Sequence, residues 1–288
     1  MHFKQYKKIV QGKGRMNLTR GCIHGCIYCD SRSACYQMNH AFTDIEIKAN
    51  ACQMLDDELS RKRKKIMITT GAMSDPYMNI PEVLDLTRCC LKIIDKHGFG
   101  LSFQTKSTLF LRDLEYLVNI HKRSRLVVQM TLTTADDDLC RLLEPGVDVT
   151  SKRVEALRIL QENHIPTVVW ISPILPMIND ALENIKGVLN ACLDVGVKGV
   201  VWFGASLTLR EGNREYYYQK LDEIFPGMKE KYIQTYGLKY VLTSQNHQLI
   251  HQYVVRFCEK HQILYKPEDV FEYIEAFQPI WHEQLKLF

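Results

Sequence analysis

The sequence predicts an α/β protein in which short parallel strands alternate with helices. Three observations carry this: six short apolar stretches, longer segments between them with apolar residues at helical spacing, and turn residues at the junctions. The apolar stretches are near-continuous and not alternating, as expected of strands covered on both faces.

Residues 1–15, MHFKQYKKIVQGKGR, read as a lead-in without the apolar stretch and small-residue cleavage site of an export signal. The first strand is expected at Met16 to Leu18 and the second at Ile66 to Thr70. Pro81 suits the first turn of the helix that follows, whose apolar face is Val83, Leu84, Leu91 and Ile94, and Gly98 suits its exit. Leu101 to Thr105 and Leu126 to Leu132 make the third and fourth strands. A helix carrying Val154, Leu157, Ile159 and Leu160 leads to the fifth strand, Thr167 to Ser172. Another carrying Leu182, Ile185, Val188 and Leu189 ends near Gly196, before the sixth strand, Val200 to Phe203. The pattern changes at Pro226, after which helices at Gln248 to His261 and Pro267 to Ala276 follow. Residues 16–226 are therefore expected to form the core, and residues 227–288 a helical extension packed on it. Six strand–helix units suit an incomplete barrel or an open doubly wound sheet, and periodicity does not separate the two.

Composition narrows the class. With 288 residues, 46% of them apolar, the chain can bury a core without disulfides. A net charge of +4 is too small to mark a nucleic-acid binder, and no apolar run is long enough to span a bilayer, so a cytoplasmic protein is expected. Ten cysteines exceed what packing needs, which predicts that some are reduced and ligating.

The ligating candidates are Cys22, Cys26 and Cys29 in NLTRGCIHGCIYCDSRSACY, just after the first predicted strand. Spacings of four and three positions let one loop wrap a compact metal centre, and Gly21 and Gly25 allow the close backbone turns this needs. The alternative is a closed zinc site, which takes four protein ligands. No second CxxC pair supplies them, which leaves His24 or Cys35 as the fourth. Three thiolates on a four-iron cluster instead leave one iron open to a small molecule.

Cys22, Cys26, Tyr28 and Cys29 match the three-cysteine signature, with an aromatic before the last, of the radical S-adenosylmethionine (SAM) superfamily. GCIHGCIYCDSRS, SDPY at Ser74 to Tyr77, TKS at Thr105 to Ser107, TLTT at Thr131 to Thr134, and Glu144–Pro145 resemble its spore photoproduct lyase-like branch, in order from Asn17 to Pro226. The resemblance implies a partial (β/α)6 barrel, a [4Fe–4S] cluster on the three cysteines, SAM chelating the open iron, and a flavodoxin- or ferredoxin-type electron donor. It further implies reductive cleavage of SAM to a 5′-deoxyadenosyl radical that abstracts hydrogen from substrate, with nucleic acid the leading substrate class by analogy. Tyr28 is expected near the adenine, Gly71, Ser74 and Asp75 near the methionyl amine, Lys106 near the carboxylate and Thr131 near the ribose. The rival class is a metal-binding structural or nucleic-acid-binding module without turnover.

Two positions depart from the lyase itself: Ala72 stands where it has a hydrogen-donating cysteine, and Asp30 where it has a tyrosine. Cys35 and Cys140 are the remaining candidate donors, weighed against the reading that a free cysteine is a small hydrophobe. Cys89 and Cys90 point about 100° apart on a helix and cannot clamp one metal; Cys52, Cys192 and Cys258 also fall in helices, so no second cluster is expected. Ser172, Asn179 and Arg210 are candidate mouth or anion contacts. Tyr216 to Tyr218 either stack on bases or anchor a helix, and the basic run Arg61 to Lys65 reads as a solvated helix end.

Overall fold

The computed structural model describes residues 1–277. Its strands are β1 (His2–Lys4), β2 (Val10–Gln11), β3 (Arg15–Met16), β4 (Thr19–Arg20), β5 (Glu46–Lys48), β6 (Met67–Thr70), β7 (Gly100–Thr105), β8 (Leu126–Thr131), β9 (Thr167–Trp170), β10 (Gly199–Val201), β11 (Ser206–Thr208) and β12 (Val241–Thr243). The helices are α1 (Ala51–Arg61), α2 (Pro81–His97), α3 (Leu114–Arg123), α4 (Asp137–Leu143), α5 (Thr150–Glu162), α6 (Leu182–Asp194), α7 (Asn213–Ile224), α8 (Met228–Tyr236), α9 (His247–His261) and α10 (Pro267–Glu275). Among the described residues no helix is long and apolar enough to cross a membrane.

A seven-stranded sheet runs β10-β9-β8-β7-β6-β3-β2, parallel throughout except for the terminal β2–β3 pair. The six parallel strands follow chain order without reversal. A doubly wound sheet reverses its order at a switch point, so that alternative is excluded. The sheet is also open: β10 and β2 lie at its two edges, and β10 is covered by a bridge from Gly199 to Leu264.

Successive strand residues face opposite sides. Ile68, Leu101, Leu126, Val128, Val169 and Val200 join the large core with the crossover helices. Met67, Val127, Val168 and Val201 point the other way and meet Val270 and Ile274 of α10. Helix α10 therefore packs on the second face of the sheet, and its Phe271 reaches Trp170 and Phe203 at the carboxyl ends, with ring centroids 5.9 and 6.2 Å away.

The first expected strand differs from what forms. Met16 ends β3, and after Asn17 and Leu18 the chain enters β4, which pairs with β5 in a separate sheet ordered β1-β5-β4. That departure lifts the following cysteine loop off the main sheet and onto a support of its own. Two further features carry no apolar run long enough to announce them: the antiparallel β11–β12 pair, which joins residues on either side of Pro226 across α7 and α8, and the small sheet itself. The basic run lies mostly beyond α1, which stops at Arg61. Cys52 and Cys89 are bonded to each other across α1 and α2, a pairing not foreseen in the sequence.

Candidate functional site

The loop from Gly21 to Cys29 leaves β4 and lies over the carboxyl ends of the parallel strands. Gly21 and Gly25 take positive φ values of 88° and 68°, and a Cβ on Gly21 would meet the Phe42 carbonyl oxygen at 2.6 Å. Backbone bonds fix the loop from outside: Cys22 N–H donates to Phe42 O at 3.0 Å, Ile27 N–H to Leu143 O at 3.0 Å, and Gly146 N–H to His24 O at 2.9 Å. Cys22, Cys26 and Cys29 are free thiols lining one cavity with Gly71, Ser74, Asp75 and Lys106. Burial pushes the Cys22 thiol up to about 12 and Cys26 well above its ordinary value. A bound cation reverses that preference, because it stabilises the thiolate.

This cavity opens into a larger one of about 360 Å³, lined by Cys26, Tyr28, Cys29, Ala72, Gln104, Lys106, Thr131, Trp170, Ser172 and Phe203 among others. Lys106 lines both, half-buried, with its Nζ 5.7 Å from the centre of the Tyr28 ring. Burial opposes its charge, but attraction to the thiolate form of Cys26 and to Glu144 shifts its pKa upward. Thr131 is 1% exposed, and its Oγ1 is buried without a hydrogen-bond partner while its residue lines the cavity. Such an orphan hydroxyl suits a ligand that brings its own polar atom.

The other expected contacts hold the loops to one another. Asp75 accepts from Tyr77 N–H at 2.8 Å, from Thr105 Oγ1 at 2.8 and 3.0 Å, and from Lys106 N–H at 2.8 Å, with His24 Nδ1 3.4 Å away. Ser74 Oγ donates to Gly21 O at 2.6 Å and lies 2.6 Å from Thr19 Oγ1. A Cβ on Gly71 would sit 2.0 Å from Gln104 O, so only glycine fits where the chain leaves β6 beside β7. His24 is buried with its pKa lowered by burial and faces Asp75.

Behind Tyr28 lies a buried ion pair that the sequence did not announce. Glu144 and Arg153 are 1% and 0% exposed, with Arg153 Nη1 2.5 Å from Glu144 Oε2. The Tyr28 hydroxyl donates to Glu144, and Arg153 also donates to Asp148 O at 2.7 Å and to Thr131 O at 3.0 Å. One guanidinium thus links the cysteine loop to the end of β8.

Several candidates stand elsewhere. Cys35 is exposed and accepts from Arg210 Nη1 at 3.3 Å; Cys140 is buried against Glu144 and Arg153 at 3.7 Å, and neither lines the cavities above. Arg210 is committed to the Tyr240 hydroxyl and Asp30, and Asn179 to the backbone of Leu175 and Thr133. Ser172 does line the larger cavity. Tyr217 is buried, and Tyr216 stacks on the Arg32 guanidinium at 3.7 Å, so this run anchors α7. Gln104, Trp170 and Phe203 line the cavity without having been singled out; each sits in or just beyond an apolar strand, where nothing marks an inward-facing residue as functional.

A family model for the Radical SAM superfamily matches residues 16–186. An uncharacterized protein of Methanocaldococcus jannaschii is 35% identical over 182 residues, covering 62% of this chain and 67% of that protein. One of Mycobacterium tuberculosis is 24% identical over 254 residues, covering 86% and 74%. Among solved structures, spore photoproduct lyase complexed with dinucleoside spore photoproduct superposes with a TM-score of 0.61 at 14% identity, covering 86% of this chain and 74% of that one. At that identity the likeness is one of fold.

Proposed function

The chain belongs to the radical SAM superfamily, whose members use an iron–sulfur cluster, SAM and a reductant, and from that premise we propose how this enzyme holds them. Cys22, Cys26 and Cys29 ligate one [4Fe–4S] cluster and leave its fourth iron to the amine and carboxylate of SAM. When bound, the pair supplies reductive cleavage of SAM to a 5′-deoxyadenosyl radical, which takes hydrogen from substrate. The single observation that carries this reading is the convergence of three free thiols, Lys106 and the unpartnered Thr131 hydroxyl on connected cavities at the strand ends.

The chain's own residues supply position and charge. Lys106 offers an ammonium to the methionyl carboxylate, Thr131 a hydroxyl to the ribose, and Tyr28 a ring face fixed by its bond to Glu144. Ser74 and Asp75 act chiefly by fixing the turn after the second main-sheet strand, β6, against the cluster loop, which leaves the backbone near Gly71 to face the amine. The monotonic strand order supports a partial (β/α)6 barrel spanning residues 16–226, with residues 227–277 as its extension; residues 278–288, expected to belong to it, lie outside the described residues. A low-potential donor of flavodoxin or ferredoxin type and a reducing cytoplasm fit a cluster served by partly exposed Cys22 and Cys29.

For substrate, Trp170 and Phe203 line the larger cavity with ring centroids 6.0 Å apart, and Phe203 is 53% exposed. Aromatic faces of this kind favour a planar ring, consistent with a nucleobase. Ala72 lines the same cavity and has no hydrogen to donate, so the reaction differs from dimer reversal by a cysteine at that position.

The rival zinc module is weakened by geometry. Among the described residues the group of three ligating side chains brought within 4.8 Å of one another lies elsewhere, whereas three thiolates on one ion sit about 3.8 Å apart. Anaerobic reconstitution followed by iron and sulfide analysis tests the reading: about four of each per chain is expected, and one zinc without sulfide contradicts it. Screening DNA, RNA and extract fractions for faster 5′-deoxyadenosine formation tests the substrate class.

A further inference from the structure

A second set of ligating side chains stands apart from the cofactor cavities, on the small sheet β1-β5-β4. His2 of β1, Glu46 of β5 and His40 in the segment between β4 and β5 bring their ligand atoms within 4.8 Å of one another. The orientation of the two imidazoles is the informative feature. His2 Nδ1 lies 3.0 Å from Asp44 Oδ2, and His40 Nδ1 lies 3.1 Å from Ala41 O. A carboxylate and a carbonyl only accept, so each Nδ1 carries a proton and, in a neutral ring, each Nε2 presents a lone pair.

Those Nε2 atoms face the same carboxylate oxygen, Glu46 Oε2, at 3.6 and 4.0 Å. Glu46 is 1% exposed, its Oε1 accepts the Tyr6 hydroxyl, and His40 Nε2 is buried with no hydrogen-bond partner. Lone pairs converging on a buried carboxylate repel unless positive charge lies between them. Lys4 Nζ reaches Oε2 at 3.3 Å, and the Arg20 and Lys48 charges also act on Glu46, but His40 Nε2 stays without a hydrogen-bond partner.

We propose that His2, His40 and Glu46 bind a divalent cation of the zinc type, with Asp44 and the Ala41 carbonyl holding the imidazoles in the ligating tautomer. Two imidazole nitrogens and a carboxylate oxygen suit zinc better than magnesium or calcium. A proton on the second ring nitrogen held by a carboxylate or carbonyl is the usual outer support of such ligands. Ligand atoms around zinc stand about 3.3 Å apart, so the separations of 3.6 and 4.0 Å from Glu46 Oε2 need to close by about 0.3 and 0.7 Å.

The cation has a structural role. It fastens β1, the 37–45 segment and β5 together; Glu46 registers with Arg20 of β4, next to Gly21, and Phe42 O receives the Cys22 amide. The support of the first cluster cysteine is thereby stiffened from outside.

The test is zinc binding to untagged, cluster-loaded protein by equilibrium dialysis, with zinc and iron counted by mass spectrometry. One zinc beyond the iron is expected, abolished by His40→Ala, weakened about ten-fold or more by Asp44→Asn, and retained by His97→Ala, which alters a histidine paired with Asp56 elsewhere. Because zinc also takes thiolates, a variant with Cys22, Cys26 and Cys29 all replaced by alanine is dialysed in parallel. Zinc kept there and lost on adding His40→Ala supports the site. Zinc kept by His40→Ala in the loaded protein, or no zinc beyond the iron in the parent, overturns it. Should His40→Ala fail to fold, His40→Gln replaces it with the melting midpoint as readout: zinc raises Tm in the parent but not in the variant, and an equal rise in both overturns the proposal.

Discussion

Single side chains divide here into those that await a ligand and those that hold the site in shape. Lys106 and Thr131 belong to the first kind. Lys106→Ala is expected to weaken SAM binding by about 10- to 100-fold, the worth of a charged hydrogen bond, with iron content unchanged; Thr131→Val is expected to weaken it less and leave Tm within a degree or two, because its hydroxyl has no partner to lose. Equilibrium binding and thermal melts check both. Glu144 belongs to the second kind. Burial opposes its ionisation, but Arg153 outweighs burial and holds the carboxyl below its ordinary value. A depressed carboxyl contributes stability that is fully present above the unfolded value of about 4.3 and is lost as pH falls through the folded one. Glu144→Gln, which leaves Arg153 buried and unpaired, is expected to cost about 3–5 kcal/mol at pH 7, and less as the pH drops below 4; denaturant titrations at pH 7 and below 4 measure this. That Cys22, Cys26 and Cys29 come together on one cavity was legible because their spacing keeps them on a single short loop. The Glu144–Arg153 pair was not, since nothing at nine residues' separation says that both charges are buried.

The cluster loop is an element without regular structure, and its shape comes from its neighbours. The 143–146 segment after α4 clamps it through Leu143 O, Gly146 N–H and Glu144. A Cβ on Gly146 would lie 2.7 Å from His24 O, so Gly146→Ala is expected to push the loop and reduce cluster occupancy although Gly146 ligates nothing. Iron content at parental levels with an unchanged visible spectrum would count against this clamp. The long main-sheet strands could be read from sequence to within a residue or two at most ends, because both of their faces are buried and both demand apolar side chains. β4, β5 and β1 were not readable: strands of two or three residues carrying Arg20, Glu46 and Lys48 leave no periodic trace.

At the scale of the whole molecule, one face of the open sheet is packed by crossover helices and the other is covered by α10. The sequence identified α10 as a helix but not which face it covers, since an amphipathic helix fits either apolar surface. Ile274 is 2% exposed in that contact. Ile274→Ala is expected to cost about 2–5 kcal/mol of stability while leaving cluster content and SAM affinity at parental values, because Ile274 lines neither of the two cavities assigned to the cluster and SAM. Loss of SAM affinity in that variant would show the packing of α10 and the site to be coupled.

The proposed function rests on one arrangement, in which the three thiolates would leave a corner of the cluster accessible to SAM. Electron paramagnetic resonance of the reconstituted, reduced protein, titrated with SAM, observes that corner. The account predicts a spectrum that changes with SAM until saturation in the parent protein and no cluster signal in Cys29→Ala. A reduced-cluster signal in the parent that SAM leaves unaltered at every concentration would contradict it.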